Sequence, residues 1–192
     1  SQNKTQQLYE VASTQGGYFT AAQARTAGYT YRQQHYHTER GNWLKVEYGI
    51  YRLQNYPPTE REDLIRLTLW SHNQKGIPQA VASHETALSI HGMSDVMPSK
   101  VHLTVPRRGF RKKPPVGVVL HAADLDSQEV EQHHGFLVTT PLRTLIDVAE
   151  SPLSQEHVSQ AVKDAIDKGL IRRRLLTGDD VPLNIRHRID QA

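Results

Sequence analysis

The residues that could do chemistry in this sequence are mostly cations, amides and imidazoles. Between residues 31 and 53 they alternate with aromatic side chains. Arginine and lysine bind phosphate oxygens, and arginine and glutamine can each make two hydrogen bonds to one base edge. The side chains for which this chemistry predicts contact with DNA are Arg32, Gln33, His35, Tyr36, Arg40, Lys45 and Arg52.

A second basic cluster lies further along the chain, between two predicted strands and between prolines. Its five basic residues in seven positions are Arg107, Arg108, Arg111, Lys112 and Lys113. A loop of this composition can bind phosphates or an acidic protein surface. The alternative is a solvated loop whose charge only aids solubility. We favour contact with a nucleic acid or a partner protein, because the rest of this segment is charge-balanced.

The charge distribution supports a polyanion site near the N-terminus. The net charge is +3, and residues 1–58 hold six basic side chains against three acidic ones, so the excess lies there. An uneven basic excess of this kind is typical of nucleic-acid-binding segments. A mildly basic solvated surface would give the same numbers.

The sequence lacks the spacing patterns of common enzymes. There are no cysteines, which excludes thiolate nucleophiles and Cys-ligated zinc. His84-Glu85 begins an H-E-x-x-H motif, but position 88 is Leu, and no phosphate loop or nucleophile elbow is present. Eleven histidines lack a complete ligand spacing. We therefore expect no catalytic residues, no metal and no cofactor, and we interpret Arg143 and Asp147 as a local ion pair.

Composition and length indicate an ordinary globular protein. With 192 residues, 37% of them hydrophobic and 22% charged, the chain fits one large domain or two small ones. The sequence holds no apolar run long enough to span a membrane and no secretory signal at its start. These features, with the lack of cysteine, predict a cytoplasmic protein.

The N-terminal segment has the pattern of a winged helix-turn-helix. Capping boxes at Thr20 and Thr30 predict the starts of two short helices separated by Gly28, and residues 43–53 alternate as a hairpin around Tyr48-Gly49. If Gln34 and Thr38 face the domain, the helical period places the predicted DNA-contacting residues of the second helix outside. The alternative is that Tyr36 is a core residue and its neighbours merely face solvent.

The remaining chain predicts a larger mixed domain. Tyr56-Pro57-Pro58 suggests a boundary between a winged helix at 1–56 and a second domain at 59–192. Helix signals begin near residues 59, 83, 140 and 154, and strands are predicted at 101–105, 116–120 and 136–139. The predicted fold class is α+β.

Several motifs in both segments carry a resemblance to a known family. Those in the N-terminal segment are Gly17-Tyr18-Phe19-Thr20, His35-Tyr36-His37, Gly41-Asn42-Trp43 and Gly49-Ile50-Tyr51-Arg52-Leu53. Those in the second segment are Ser83-His84-Glu85-Thr86-Ala87-Leu88, His91-Gly92, Val101-His102-Leu103-Thr104-Val105-Pro106 and the run from Thr139 to Asp147. In their order and spacing they resemble the AbiEi antitoxins of type IV toxin-antitoxin systems. The family pattern has an apolar residue where Gln34 stands.

This resemblance implies a bacterial regulator that represses its own operon at inverted repeats in double-stranded DNA. It also implies a cognate nucleotidyltransferase-like toxin, to which the second basic cluster could bind, a role in phage abortive infection, and assembly on paired half-sites. The alternative is a metal-dependent nucleic-acid-processing enzyme that uses the winged helix for delivery. In that reading Glu85, Asp124 or Asp147 would bind the metal.

Overall fold

The structure, a computed structural model, describes residues 3–191 and divides into two units. The first unit runs to Ala80 and includes Gln132–Phe136, and the second contains Val81–Glu131 and the chain from Leu137 onward. Helices and strands occur in both, so the fold class is mixed α+β, as predicted.

The first unit combines four helices with a small antiparallel sheet. Its elements are α1 (Lys4–Ser13), β1 (Tyr18–Thr20), α2 (Ala21–Thr26), α3 (Tyr31–Glu39), β2 (Trp43–Glu47), β3 (Ile50–Leu53) and α4 (Glu62–Trp70). The sheet order is β1-β3-β2. This order of elements agrees with the predicted pair of short helices followed by a hairpin.

Two capping boxes start α2 and α3. The Thr20 hydroxyl accepts a hydrogen bond from Gln23 N at 3.1 Å, and the Gln23 side chain accepts one from Thr20 N at 2.9 Å. The same reciprocal pair joins Thr30 and Gln33 at 3.3 and 3.1 Å. Both helix starts are therefore set by local sequence, because each box satisfies amide groups that a helix N-terminus leaves unpaired.

An aromatic core holds the three N-terminal helices on the sheet. Phe19, Tyr29 and Trp43 are almost fully buried, and the Trp43 ring meets the edges of the other two with 4.9 Å between centroids in each pair. Leu8 and Ala12 of α1 join the same cluster. Edge-to-face packing of this kind stabilises aromatic pairs beyond the area they bury.

The division between the units lies after Ala80, beyond the predicted boundary at Pro57-Pro58. The reason is that α4 packs on β1 and β3. Glu62 at its start accepts hydrogen bonds from the Tyr18 hydroxyl at 2.9 Å and from Arg52 at 3.2 Å. The proline pair therefore links α4 to the sheet of the same unit.

The second unit joins a mixed sheet to a layer of helices. Its elements are β4 (Val81–Ala82), α5 (His84–His91), β5 (Val101–Val105), β6 (Val118–Ala122), a 3₁₀ turn (Ser127–Glu129), β7 (Val130–Gln132), β8 (Leu137–Thr139), α6 (Pro141–Glu150), α7 (Gln155–Asp167), α8 (Arg173–Leu176) and α9 (Leu183–Asp190). The sheet order is β6-β5-β4-β8-β7. The strand predicted at 116–120 starts two residues later, because Gly117 turns the chain with φ of 82°. The short strands β4 and β7 and the helices α8 and α9 were not predicted.

Helices α6, α7 and α9 enclose the core of the second unit. The buried residues of α6 and α7 recur three and four positions apart, which places them on one face of each helix. The core residues in this cluster are Leu88, Met93, Leu145, Val148, Ala149, Val158, Ala161, Val162, Ala165, Ile171, Leu176, Val181, Ile185 and Ile189. Thr140 and Ser154 cap α6 and α7 as predicted, through hydrogen bonds from Arg143 N and His157 N, each of 3.3 Å.

A single arginine of α9 ties together the turn between α6 and α7. The Arg188 guanidinium donates to Ala149 O at 2.8 Å, to Ser151 O at 2.9 Å and to Leu153 O. It also bonds the Gln155 side chain, which donates back to the carbonyl oxygen of Arg188 at 2.7 Å. Carbonyl groups at the end of α6 would otherwise have no helical partner.

Arg188→Ala is expected to lower the free energy of unfolding by about 2–3 kcal/mol, because part-buried carbonyls lose a charged donor. Urea denaturation followed by circular dichroism measures the change. Arg172, an exposed side chain just before α8, provides the control: Arg172→Ala should change stability by less than about 0.5 kcal/mol. Equal effects of the two substitutions would contradict the structural role of Arg188.

Candidate nucleic-acid interface

The orientation of α3 is set by a buried amide. Gln34 is only 3% exposed, and its Nε2 donates to Ala21 O at 3.2 Å and to Tyr29 O at 3.3 Å. Thr38, one turn later, donates to the carbonyl oxygen of Gln34 at 2.9 Å. A buried polar group is tolerated where its hydrogen bonds are made. The helix therefore faces the core with Gln34, which is one of the two orientations that the sequence left open.

The opposite face of α3 points away from the unit's core. Its exposed residues include Arg32, His35, Tyr36 and Arg40. Tyr36 is 53% exposed, so it is not a core residue, and the Arg40 guanidinium lies over its ring at 5.3 Å. Four residues predicted to contact DNA thus share one exposed helix face.

Gln33 has a structural role at the start of α3. Its side-chain oxygen accepts the hydrogen bond from Thr30 N that completes the capping box of α3. Reading an adenine requires the amide to offer a donor and an acceptor together. The cap uses one of the two lone pairs of this oxygen, so it gives Gln33 a structural role without excluding base contact, and the predicted contact stays a prediction.

Two side chains of the hairpin were predicted to contact phosphates. One of them is exposed, and the other is bound within the fold. Lys45 is exposed on β2. The Arg52 side chain is 12% exposed and forms an ion pair with Glu62 at 3.2 Å, while also donating to Pro57 O at 3.2 Å. Its guanidinium lies 5.5 Å from the centre of the Tyr18 ring. This geometry argues against the predicted phosphate contact of Arg52, because both terminal nitrogens of its guanidinium donate inside the unit and its Nε is buried.

Two exposed tyrosines extend this surface and were missed in the sequence. Tyr31 opens α3 at 65% exposure, with the Arg25 guanidinium 4.9 Å from its ring and donating to its hydroxyl at 3.0 Å. Tyr48, in the turn between β2 and β3, is 98% exposed. The signals that could have revealed them are the position just after the helix cap and the Tyr-Gly hairpin turn.

In the second unit the basic cluster forms the loop between β5 and β6. All five of its cations are exposed, and the loop is anchored where Arg107 N donates to Asp124 Oδ1 at 3.1 Å. Across residues 3–191, Arg107, Arg108, Arg111 and Lys113 form no ion pair. Their charge is therefore not neutralised by the described part of the chain.

The carboxylates proposed for a metal-dependent enzyme are separated and partly engaged. Asp124 accepts the Arg107 amide, and Asp147 accepts from Arg143 Nε at 2.9 Å. Within the described residues, no cluster of three metal-ligating side chains includes Glu85, Asp124 or Asp147. The local Arg143–Asp147 ion pair is confirmed, and Arg143 also binds Glu129 at 2.9 Å.

A search of the described residues for membrane-spanning segments finds no helix with the necessary length and apolar character.

The order and pairing of the elements define a two-unit α+β protein in which α3 exposes Arg32, His35 and Tyr36. The family model of the AbiEi antitoxin C-terminal domain matches residues 80–175, which is half of the chain. The chain belongs to the AbiEi antitoxin family.

The fold also has a counterpart among solved structures. The crystal structure of the RV2827C protein from Mycobacterium tuberculosis is similar with a TM-score of 0.56 at 14% sequence identity. The similarity covers 98% of this chain and 77% of that chain, and at this identity it shows the fold alone. No protein of curated function matches the sequence.

The contrast between Arg52 and Lys45 can be tested by stability. Arg52→Ala should lower the free energy of unfolding by about 1–3 kcal/mol, because it leaves Glu62 without its charged donor. Lys45→Ala should change it by less than about 0.5 kcal/mol, since this side chain is exposed. Urea titration of both variants measures these changes. Equal free energies of unfolding for the two variants would contradict the internal role of Arg52.

Asp147 predicts a pH dependence of stability. Burial raises the pKa of Asp147 to about 6, against the opposing effect of Arg143, and its Oδ2 is buried without a hydrogen-bond partner. Because the folded state holds this proton more tightly than the unfolded state, the stabilisation is present below about pH 4 and is lost as pH rises to about 6. The stability of the wild type relative to Asp147→Asn should therefore fall by about 2–3 kcal/mol between pH 4 and pH 7 in urea titrations. A constant difference would show an unshifted carboxyl group.

Proposed function

We propose that this AbiEi-family protein is a DNA-binding transcriptional repressor and the antitoxin of a type IV toxin-antitoxin system. The observation that carries the DNA-binding part is the alignment of Arg32, His35, Tyr36 and Arg40 on the exposed face of α3. Family membership carries the antitoxin part.

In this proposal α3 enters the major groove of duplex DNA. An α-helix fits that groove, and the first residues of a recognition helix are the ones that usually reach base edges. Arg32 lies in the first turn and can pair with a guanine in bidentate fashion. Arg40 follows the end of the helix, where it and Lys45 of the hairpin can bind backbone phosphates.

The basic loop of the second unit supplies further contacts. Its four unpaired cations, Arg107, Arg108, Arg111 and Lys113, attract a polyanion, and phosphate contacts add affinity without sequence preference. The Gly109 backbone has nothing within 4 Å of an added Cβ, so the loop can approach a flat or grooved surface closely. The alternative partner of opposite charge is an acidic surface of the cognate toxin.

The biological role follows from the family. We propose that the protein binds inverted repeats in its own promoter, assembles on paired half-sites and acts in the bacterial cytoplasm. It counters a nucleotidyltransferase-like toxin in phage abortive infection without catalysis, either by direct contact with the toxin or functionally, without such contact. The genomic neighbour of its gene should encode that toxin.

Arg32→Ala is expected to weaken binding to promoter DNA by about 1–3 kcal/mol and to relax base preference at one position of each half-site. Fluorescence anisotropy with the promoter upstream of this gene, and with single-base variants of it, measures both effects. Lys75, an exposed cation in a turn outside the proposed surface, gives the control variant Lys75→Ala. Unchanged promoter affinity in both Arg32→Ala and Lys45→Ala would show that the assigned surface is wrong.

Replacement of Arg107, Arg108, Arg111 and Lys113 by Ala is expected to reduce the salt dependence of DNA binding. Each lost phosphate contact lowers the slope of log K against log[salt] by about 0.9. The base preference should stay unchanged, because these contacts do not read sequence. An unchanged slope with lost neutralisation of the toxin in a growth assay would instead assign the loop to the toxin.

A further inference from the structure

Three histidines from separate elements meet on the sheet of the second unit. His84 is the first residue of α5, His102 lies in β5 and His121 lies in β6. All three side chains are partly buried. The parallel pairing of β5 and β6 brings His121 opposite Thr104, two residues beyond His102 on the same face.

The imidazole rings of His102 and His121 are joined by a hydrogen bond between ring nitrogens. The Nδ1 atom of His102 lies 3.0 Å from Nε2 of His121. The rings are nearly coplanar, at 17°, and their centroids are 5.3 Å apart, as an in-line N–H···N hydrogen bond between two imidazoles requires. One ring therefore donates a hydrogen and the other accepts it.

Glu85 decides which ring donates. Its Oε2 atom faces the other nitrogen of His102, Nε2, at 3.9 Å. A carboxylate favours a hydrogen on the nitrogen that faces it, so His102 carries its hydrogen on Nε2 and accepts at Nδ1. The donor is then Nε2 of His121, which leaves Nδ1 of His121 with a lone pair.

His84 is held neutral beside this pair. The Thr104 hydroxyl donates to Ser83 Oγ at 2.7 Å, so Ser83 directs its own hydrogen to Nδ1 of His84 at 2.8 Å. The His84 ring stacks on that of His121 with 3.6 Å between centroids. Its backbone adopts φ of 53°, a left-handed conformation that is costly for a non-glycine residue and persists only where the surroundings impose it.

Burial and the neighbouring charged groups shift the pKa values of the three histidines by different amounts. Burial lowers the pKa of His84 to about 3, with His121, His102 and the Arg143 guanidinium adding to the effect. Burial lowers the pKa of His102, which Glu85 opposes and Lys100 reinforces. Burial and then His102 lower the pKa of His121. Among the described residues, Glu85 is the acidic group that faces the joined pair and opposes the lowering of the His102 pKa.

We propose that Glu85, His102 and His121 form a relay that binds one proton from solvent. The proton bonds to Nδ1 of His121, and the positive charge is shared with His102 through the N–H···N bond and is compensated by Glu85. A second proton does not enter, because it would place a hydrogen on both facing nitrogens and two cations with ring centres 5.3 Å apart. Mild acid therefore adds one charge to this face and keeps its hydrogen bonds.

The test is an NMR titration of the full-length protein between pH 8 and 4.5. The imidazole signals are assigned with the variants His84→Gln, His102→Gln and His121→Gln, and ¹⁵N shifts report the tautomer of each ring in the wild type. We expect His102 and His121 to titrate with one shared midpoint and one proton between them. The His84 signals should stay in place over this range.

Glu85→Gln should lower the shared midpoint by about one pH unit, because it removes the compensating charge. Glu156→Gln, which changes an exposed carboxylate in the first turn of α7, is the matched control and should leave the midpoint unchanged. The proposal is overturned by separate midpoints for the two rings, by uptake of two protons, or by a ¹⁵N pattern in the wild type that lacks a hydrogen on Nε2 of both His102 and His121. Where a substitution impairs folding, the imidazole signals are assigned by through-bond correlation to the backbone in the wild type, so the tautomer measurement still decides.

Discussion

The orientation of α3 and of its exposed side chains depends on one buried amide. Gln34 donates to two carbonyl groups, one at the start of α2 and one in the turn before α3, and so fixes the rotation of α3 about its own axis. An apolar side chain at this position would fill the space but would leave those carbonyl groups without this donor. The bonds of Gln34 thereby keep Arg32, His35 and Tyr36 on the outside.

Some arginines of the chain hold elements of the fold together, and others are exposed to solvent. Arg52, Arg143 and Arg188 are part-buried and hold elements together through carboxylates or carbonyl groups. Removing a partner from such a contact costs more than the contact itself contributes, because a charge or carbonyl remains buried and unpaired. Arg32, Arg107, Arg108, Arg111 and Lys113 form no ion pair within residues 3–191, and their exposed charges are available to a polyanion.

The titratable groups with shifted pKa values in the second unit include Asp147 of α6 and His84, His102 and His121 at the sheet. Burial raises the pKa of Asp147 to about 6 and lowers that of His84 to about 3, so near neutral pH His84 is neutral while Asp147 is ionised and paired with Arg143. The Glu85–His102–His121 chain differs because a carboxylate faces it and two rings share a hydrogen. Burial therefore disfavours the charged forms of Asp147 and His84, whereas the proposed relay would hold a single charge that Glu85 compensates.

Local sequence determined the starts of α2, α3, α6 and α7, since a Thr or Ser cap and its neighbours within three residues satisfy the helix N-terminus by themselves. The helical period determined which residues of α3 share a face, but the buried hydrogen bonds of Gln34 decided which face points outward. Only the tertiary structure decided that Arg52 binds Glu62, and that His84, His102 and His121 meet. These contacts join residues from different elements, and strand pairing and helix packing bring them together. The short strands β4 and β7 could not be predicted from local sequence for the same reason. Two or three residues are too few to show an alternating pattern, and they form a strand only beside a partner strand.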